Sequence, residues 1–399
     1  MEAWKVNIFS VWLGCFFTGL AMSQILPFLP LYVEQLGVHS HEALSIWSGL
    51  VFSATFLVSS IVAPLWGSLA DRKGRKLMLL RASLGMAVVI ALQGFAANVY
   101  QLFLLRALMG LTSGYIPNAM ALVASQVPRE KSGWALGTLS TGQVAGVIVG
   151  PLLGGFMADH LGLRTVFLVT AALMFVSFLV TLFLIKERFV SVKKAEQLKG
   201  RAVFETLPYP ALIFSLFITT MMIQLTNSSI SPILTLFIKD LAGDSGNLAF
   251  ISGAIAAVPG ISALVAAPRL GQLGDRIGTG RILMAAMLCC IALFCIMSLV
   301  RTPFQLGLLR FLLGFTDAAL MPAVQTLLVK YSSDRVTGRI FGYNQSFMYM
   351  GNVVGPLIGS SVSAVLGFRW VFIFTALMVT INALQLWSGL RKTRLPGRG

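Results

Sequence analysis

Gly67-Ser68-Leu69-Ala70-Asp71-Arg72-Lys73-Gly74-Arg75-Lys76 places five charged residues in ten positions, where the uncharged run 44–69 gives way to the run 77–97, whose only charge is Arg81. A helix needs roughly 20 apolar residues to cross a hydrocarbon core of about 30 Å, and each run has that length. The decapeptide therefore reads as a tight turn in water between two helices that cross a membrane in opposite directions. Gly67 and Gly74 supply the reversal and close approach, and Asp71, Arg72 and Arg75 supply charges able to pair.

The same alternation extends both ways from this turn. Twelve apolar runs are found, at 7–33, 44–69, 77–97, 100–125, 132–157, 164–185, 210–238, 248–268, 281–300, 304–329, 338–364 and 369–390. Of the 399 residues, 57% are hydrophobic and 11% charged, against about 25% charged in a soluble domain, so no water-soluble surface can be assembled. Continuous apolar runs exclude a barrel, whose strands alternate over about ten residues. The first run continues past Pro27 and Pro30 with no small-residue cleavage pattern and reads as a retained helix. The fold class is all-α integral membrane, with twelve transmembrane helices.

The net charge of +16 sorts by side of the membrane. Assigning alternate loops to opposite faces leaves only Arg164, Lys239, Arg301 and Arg369 on one side, and Lys5, Arg72 to Arg81, Arg129, Lys131, Lys186 to Arg201, Arg269 to Arg281, Lys330 to Arg339 and Arg391 to Arg398 on the other. This is the positive-inside bias, which places both termini in the cytoplasm. The basicity orients the chain and calls for no nucleic acid.

The chain also repeats itself. At an offset of 204 residues, Arg106 meets Arg310, Gly110 meets Gly314, and 67–74 meets Gly271-Gln272-Leu273-Gly274-Asp275-Arg276-Ile277-Gly278; at 205, Pro27 meets Pro232, Pro117 meets Pro322 and Gly150-Pro151 meets Gly355-Pro356. Six crossings per copy bring the second in from the same side as the first, which predicts two pseudo-symmetric six-helix bundles, a recurrent transporter plan. The domains are read as 1–185, a cytoplasmic linker 186–209 whose basic residues suit attraction to anionic membrane lipid, and 210–399 with a short basic tail.

The decapeptide resembles the signature loop of the major facilitator superfamily, and 271–278 is its weaker copy. The resemblance implies that Gly67, Asp71, Arg72, Gly74 and Arg75, with Gly271, Asp275 and Arg276, form a gate in which Asp71 and Arg75 join a cytoplasmic charge network. Gly142, Gly146, Gly150, Pro151 and Gly154-Gly155 resemble the antiporter signature of the superfamily's drug exporters. The segments 29–37 and 131–140 resemble the bacterial drug:proton antiporter family of multidrug-resistance proteins. These resemblances imply a secondary active efflux transporter of the bacterial inner membrane, working as a monomer by alternating access, with fosfomycin-like phosphonates and bile acids as substrates. A proton-coupled importer of a small nutrient on the same scaffold is the alternative.

Inside the spans, ionisable residues are expensive and normally face a bundle interior or a wet cavity. Arg106, in the setting Leu102-x-x-x-Arg106-x-x-x-Gly110, and Arg310 are two. Asp317 is the single acid well inside a span, and its repeat mate is Ser113. Desolvation favours the neutral form of a carboxylic acid, so Asp317 is the first candidate proton carrier and Glu34 the second. Gln24, Asn118, Gln143, Gln224, Asn227, Gln325, Tyr343, Gln345, Met348 and Tyr349 are candidates for the substrate cavity, with Met and aromatic side chains as an adaptable wall. Two intramembrane arginines against one aspartate favour neutral or anionic amphiphiles. No nucleotide-binding loop, catalytic triad or metal motif occurs, so no cofactor, no metal and no enzymatic activity are expected, and the partners are small-molecule drugs, protons and membrane lipid.

Overall fold

The computed structural model describes residues 3–127, 131–187, 207, 209–243, 247–332 and 337–392, the side chains at 3–5, 71, 132, 275, 337, 338 and 392 apart. The expected linker 186–209 lies largely outside these residues. Twelve helices among them are long and apolar enough to cross a membrane, numbered here as spans 1 to 12: Val6–Gln35, His41–Ala70, Arg75–Gly94, Val99–Gln126, Gly133–Leu161, Leu163–Leu184, Pro210–Ile230, Leu248–Gly274, Thr279–Met297, Pro303–Lys330, Arg339–Leu366 and Phe368–Arg391. No strand occurs among the described residues. Helices are the expected solution in lipid, where every backbone N–H and C=O must find an internal partner.

Prolines and glycines decide where the helices are interrupted. Span 1 is regular to Gln24, tightens into a 3-10 turn at Leu26–Phe28 around Pro27, and resumes over Leu29–Gln35. Span 7 ends at Ile230, just before Pro232, the repeat mate of Pro27, and a nine-residue helix Leu234–Ala242 follows. The expected run 210–238 is thus two helices, because proline donates no backbone bond and clashes with the preceding turn. Spans 5 and 11 run unbroken through Pro151 and Pro356.

The chain forms two compact units, one from Met1–Lys193 and Leu234–Ala257, the other from Lys194–Ile233 and Val258–Gly399. In the first, span 1 packs on spans 5 and 6, span 3 on span 6, and span 2 on span 4. Val11, Cys15, Leu79, Tyr115, Leu122 and Leu139 are buried there. In the second, span 7 packs on spans 11 and 12, and span 9 on spans 10 and 12, around Leu216, Phe217, Leu283, Val324, Leu328 and Leu386.

With lipid as apolar as leucine, association of helices rests on close van der Waals packing at small residues, and the repeat places those residues identically. A Cβ on Gly110 would meet Thr55, Val58 and Ser59, and one on Gly314 would meet Pro259 and Ser262. Gly146 lies against Phe16, Gly19 and Leu20, whereas Gly351 lies against Met221, Gln224 and Leu225. Each contact is displaced by 204 or 205 residues from its mate. Large apolar side chains such as Phe183, Phe304 and Val365 are exposed on the outside of the units, as suits surfaces that meet acyl chains.

Candidate functional site

The signature loop is built around two helix ends. Span 2 continues helically to Lys73 and stops at Gly74, whose φ of 96° is left-handed and disfavours any side chain. The helix of span 3 begins at Arg75. The carboxylate of Glu187, just beyond span 6, accepts from the N–H of Arg75 and of Lys76, each at 2.8 Å. It satisfies two of the four N–H groups that a helix start leaves open, at the positive end of the helix dipole. Glu187 Oε2 also stands 2.8 Å from where a Cβ on residue 74 would lie. Arg75 reaches Asn118 Oδ1 at 3.4 Å, which ties the loop to span 4. Gly67, expected to supply reversal and close approach, does neither: it lies inside the helix of span 2 with open space around it, as Gly271 does in the helix of span 8. Arg72 and Arg276 are exposed, and the side chains of Asp71 and Asp275 lie outside the described residues. The second copy turns at Gly278, with φ 102°.

Span 4 breaks where its counterpart does not. Its helix stops at Thr112 and restarts at Tyr115, through Gly114 at φ 111°. Arg81 from span 3 donates Nη1 to Leu111 O at 3.0 Å and Nη2 to Ser113 O at 2.7 Å, with its guanidinium 3.8 Å from the centre of the Trp66 ring. Trp66 Nε1 donates to Leu111 O as well, at 2.9 Å. Arg81 thus closes off carbonyls that the break exposes. In the sequence it falls among the orienting charges, and its isolation in an otherwise uncharged run is the one signal that sets it apart. Arg106 is buried at 5% exposure and held against span 2, its Nε donating to Val51 O at 3.3 Å while Thr55 donates to Arg106 O at 2.8 Å.

Span 10 is helical without interruption over Pro303–Lys330, and there Asp317 replaces Ser113. Arg310 of the same helix and Asn227 of span 7 are among its polar neighbours. It opens into a cavity of about 10 Å³, walled by Met222, Ile223 and Thr226 of span 7, Met287 and Cys290 of span 9, and Val379 and Asn382 of span 12. That is room for about one water molecule. Thr226 Oγ1 and Asn382 Oδ1 are buried with no partner among the described residues, although Asn382 Nδ2 donates to Thr219 at 3.3 Å. Neither Thr226 nor Asn382 is among the expected site residues, although Asn382 is, like Asn227, a lone polar amide in an apolar run.

The remaining polar candidates divide by environment. Gln24 is 1% exposed and wedged against Gly154 and Met157. Asn118 bonds Gly114 O at 2.8 Å as well as Arg75. Gln143, Gln224, Met348 and Tyr349 are half-buried, as is Tyr343, whose ring lies 6.4 Å from that of Phe217. Gln325 and Gln345 are exposed.

On the face opposite the signature loop, the first unit joins spans 1 and 5 to the start of span 8. Glu34 pairs with Lys239 at 3.0 Å. Asp159 accepts from Ala249 N–H at 3.1 Å and Phe250 N–H at 2.7 Å. Thr235 donates to Pro27 O. Gly155 lies on Ala249 and Phe250, and Gly253 on Pro151, with no space for a Cβ on either glycine. A cavity of about 410 Å³ opens beside them, lined by Glu34, His39, Asp159 and Lys239 among others. Of the expected antiporter motif, Gly142, Gly146, Gly150 and Gly154 face span 1, while Gly155 and the carbonyl of Pro151 face span 8.

A family model described as Major Facilitator Superfamily matches residues 11–304 and 216–399. The chain is 61% identical over 389 residues to the multidrug resistance protein MdtG of Klebsiella pneumoniae (strain 342), covering 98% of this chain and 94% of that protein. It is 59% identical to MdtG of Salmonella typhimurium (strain LT2), covering 98% and 97%. Among solved structures it is similar to the nucleoside transporter NupG (D323A mutant), with TM-score 0.81, 14% identity, and coverage of 96% and 99%. A bacterial homolog of the human lysosomal transporter Spinster, inward-facing and unoccupied, gives TM-score 0.77 at 16% identity, covering 98% of each chain. Twelve spans, a repeated signature loop and paired glycine faces agree with those matches, and the chain belongs to the major facilitator superfamily of membrane transporters.

Proposed function

We propose that this transporter, a multi-pass protein of the bacterial inner membrane, exports small amphipathic or anionic drugs in exchange for protons, with both termini in the cytoplasm and a single chain as the working unit. Identity of 59–61% over nearly the whole chain to multidrug resistance proteins supports efflux. Fosfomycin-like phosphonates and bile-acid-like anions are the substrate classes, and the halves 1–185 and 210–399, joined by the linker 186–209, alternate access to them.

The observation that carries the coupling is the setting of Asp317. A carboxyl group among methionine, leucine and valine side chains, with room beside it for about one water, suits a proton and excludes a drug-sized molecule. Proton and drug then act on each other through helix positions, in the sense of linkage between two sites. Glu34, already paired with Lys239, serves in this scheme as part of the contact on the opposite face. Arg106 and Arg310 keep the interior net positive, in keeping with anionic cargo.

The test is drug accumulation in exporter-deficient cells carrying wild-type or Asp317→Asn protein, with and without an uncoupler. Wild-type efflux that stops with the uncoupler and is absent from the variant is the expected result. Equal, uncoupler-sensitive efflux by both would remove Asp317 from the mechanism, and substrate-driven accumulation would favour import.

A further inference from the structure

The two halves treat one equivalent helix end in opposite ways. At the start of span 3, the N–H groups of Arg75 and Lys76 are taken up by the carboxylate of Glu187. The positions 204 residues on are Thr279 and Gly280, which open span 9, a helix of 19 residues. Among the described residues nothing accepts from these two N–H groups; the first backbone bonds of that helix run from Arg281 and Ile282 to Gly278 O. The residues standing 204 and 205 positions after Glu187 are Arg391 and Lys392. The acid of the first half has become a cation in the second.

Where the first half holds a carboxylate, the second unit has a cavity of about 530 Å³ whose walls include Arg276, Thr279, Gly280, Arg281 and Lys330, with no acidic residue among the described ones. Sharing Gly280, Arg281 and Leu390, it continues into a groove of about 660 Å³ between spans 9 and 12, walled by Met284, Leu288 and Trp387. Leu288 is 60% and Trp387 51% exposed, and the Arg391 guanidinium lies 5.1 Å from the centre of the Trp387 ring. A tryptophan and a cation together at a helix end mark the headgroup level of a bilayer.

We infer that this is a binding site for one anionic phospholipid. Its phosphodiester takes the place that Glu187 holds in the first half, on the N–H groups of Thr279 and Gly280 and between Arg281 and Lys330, and an acyl chain lies along Met284, Leu288 and Trp387. A helix N-terminus flanked by cations is suited to a phosphate, and basic pockets between spans are the usual receptors of acidic headgroups. Free phosphate would leave the apolar groove uncovered. A zwitterionic lipid would bring its own ammonium against the cations.

The experiment uses purified full-length protein in detergent, with native mass spectrometry and thermal unfolding in the presence of phosphatidylglycerol, phosphatidylcholine or glycerol phosphate. Phosphatidylglycerol should be retained and raise the unfolding temperature; phosphatidylcholine and glycerol phosphate should do neither. Arg281→Gln with Lys330→Gln should weaken retention about thirty-fold, the combined effect of two cations near an anionic surface. Arg301→Gln, on the opposite face, should retain the lipid as wild type does. Arg391→Glu restores the carboxylate found in the first half, and should raise stability without lipid while abolishing the response to phosphatidylglycerol. The inference is overturned by equal retention in wild type and the double variant, by phosphatidylcholine binding as well as phosphatidylglycerol, or by displacement with glycerol phosphate alone. Should the double variant fail to fold, an unchanged lipid response in Arg391→Glu overturns it as well.

Discussion

Replacing Asp159 by alanine removes the acceptor for the N–H groups of Ala249 (3.1 Å) and Phe250 (2.7 Å) at the start of span 8. Loss of a capping acceptor costs about 1 kcal/mol, and loss of a negative charge at the positive end of a helix adds about 0.3–1 kcal/mol. Asp159 is half-buried, so salt screens part of the second contribution, and about 1.4 kcal/mol is a working total, a tenfold change in local opening. Amide hydrogen exchange reads that opening directly. In Asp159→Ala a peptide covering 247–255 should exchange about tenfold faster than in wild type, while the start of span 3, capped by Glu187, keeps its protection. Asp159→Asn retains one acceptor oxygen and should fall between. The local change matters because Gly155 and Gly253 make backbone contacts at the same crossing, so a freed span 8 also loosens span 5. An unchanged rate over 247–255, or a uniform acceleration in every span, would refute this reasoning.

The same geometry sets two further outcomes. Glu187→Gln keeps one acceptor for Arg75 or Lys76 and loses the charge, so the unfolding temperature should fall by an amount corresponding to about 1 kcal/mol, and faster exchange should be confined to the start of span 3; stability equal to wild type would show that the cap adds nothing. Gly146→Val and Gly351→Val, at repeat-equivalent crossings, should each cost about 1–3 kcal/mol or more through overpacking and give aggregated protein on gel filtration, whereas Gly137→Ala, with open space around it, should behave as wild type.

Much of the architecture was legible because lipid leaves few options. An apolar run of twenty residues in a bilayer has to be a helix, and the chain has to reverse within the charged decapeptide between two such runs, although it does so at Gly74 alone, with 67–73 and 75–76 helical. The repeat extended this to pairs of residues: glycines matched by sequence offset, such as Gly110 with Gly314, occupy matching crossings. Legibility ended where a side chain's partner comes from a distant helix. Arg81 looked like one more orienting charge, yet it closes the break in span 4. Glu187 looked like part of a linker, yet it caps span 3. Asp159 carried no motif, since capping the start of another helix requires only that the two ends meet.

The candidate site shows the same division. Asp317 stood out in sequence because an acid in an apolar span is costly, and that cost is a property of the residue and its neighbours along the chain. Its surroundings, Thr226, Cys290 and Asn382 from three other spans, became known only from packing, as did the size of the cavity they leave. The lengths of the apolar runs and the 204-residue repeat therefore determined the twelve crossings, their pairing into two copies and the presence of Arg106, Arg310 and Asp317 within them. Tertiary structure decided which helix ends are capped and which are left open, because a hydrogen bond depends on a distance of about 3 Å between groups that can be more than a hundred residues apart.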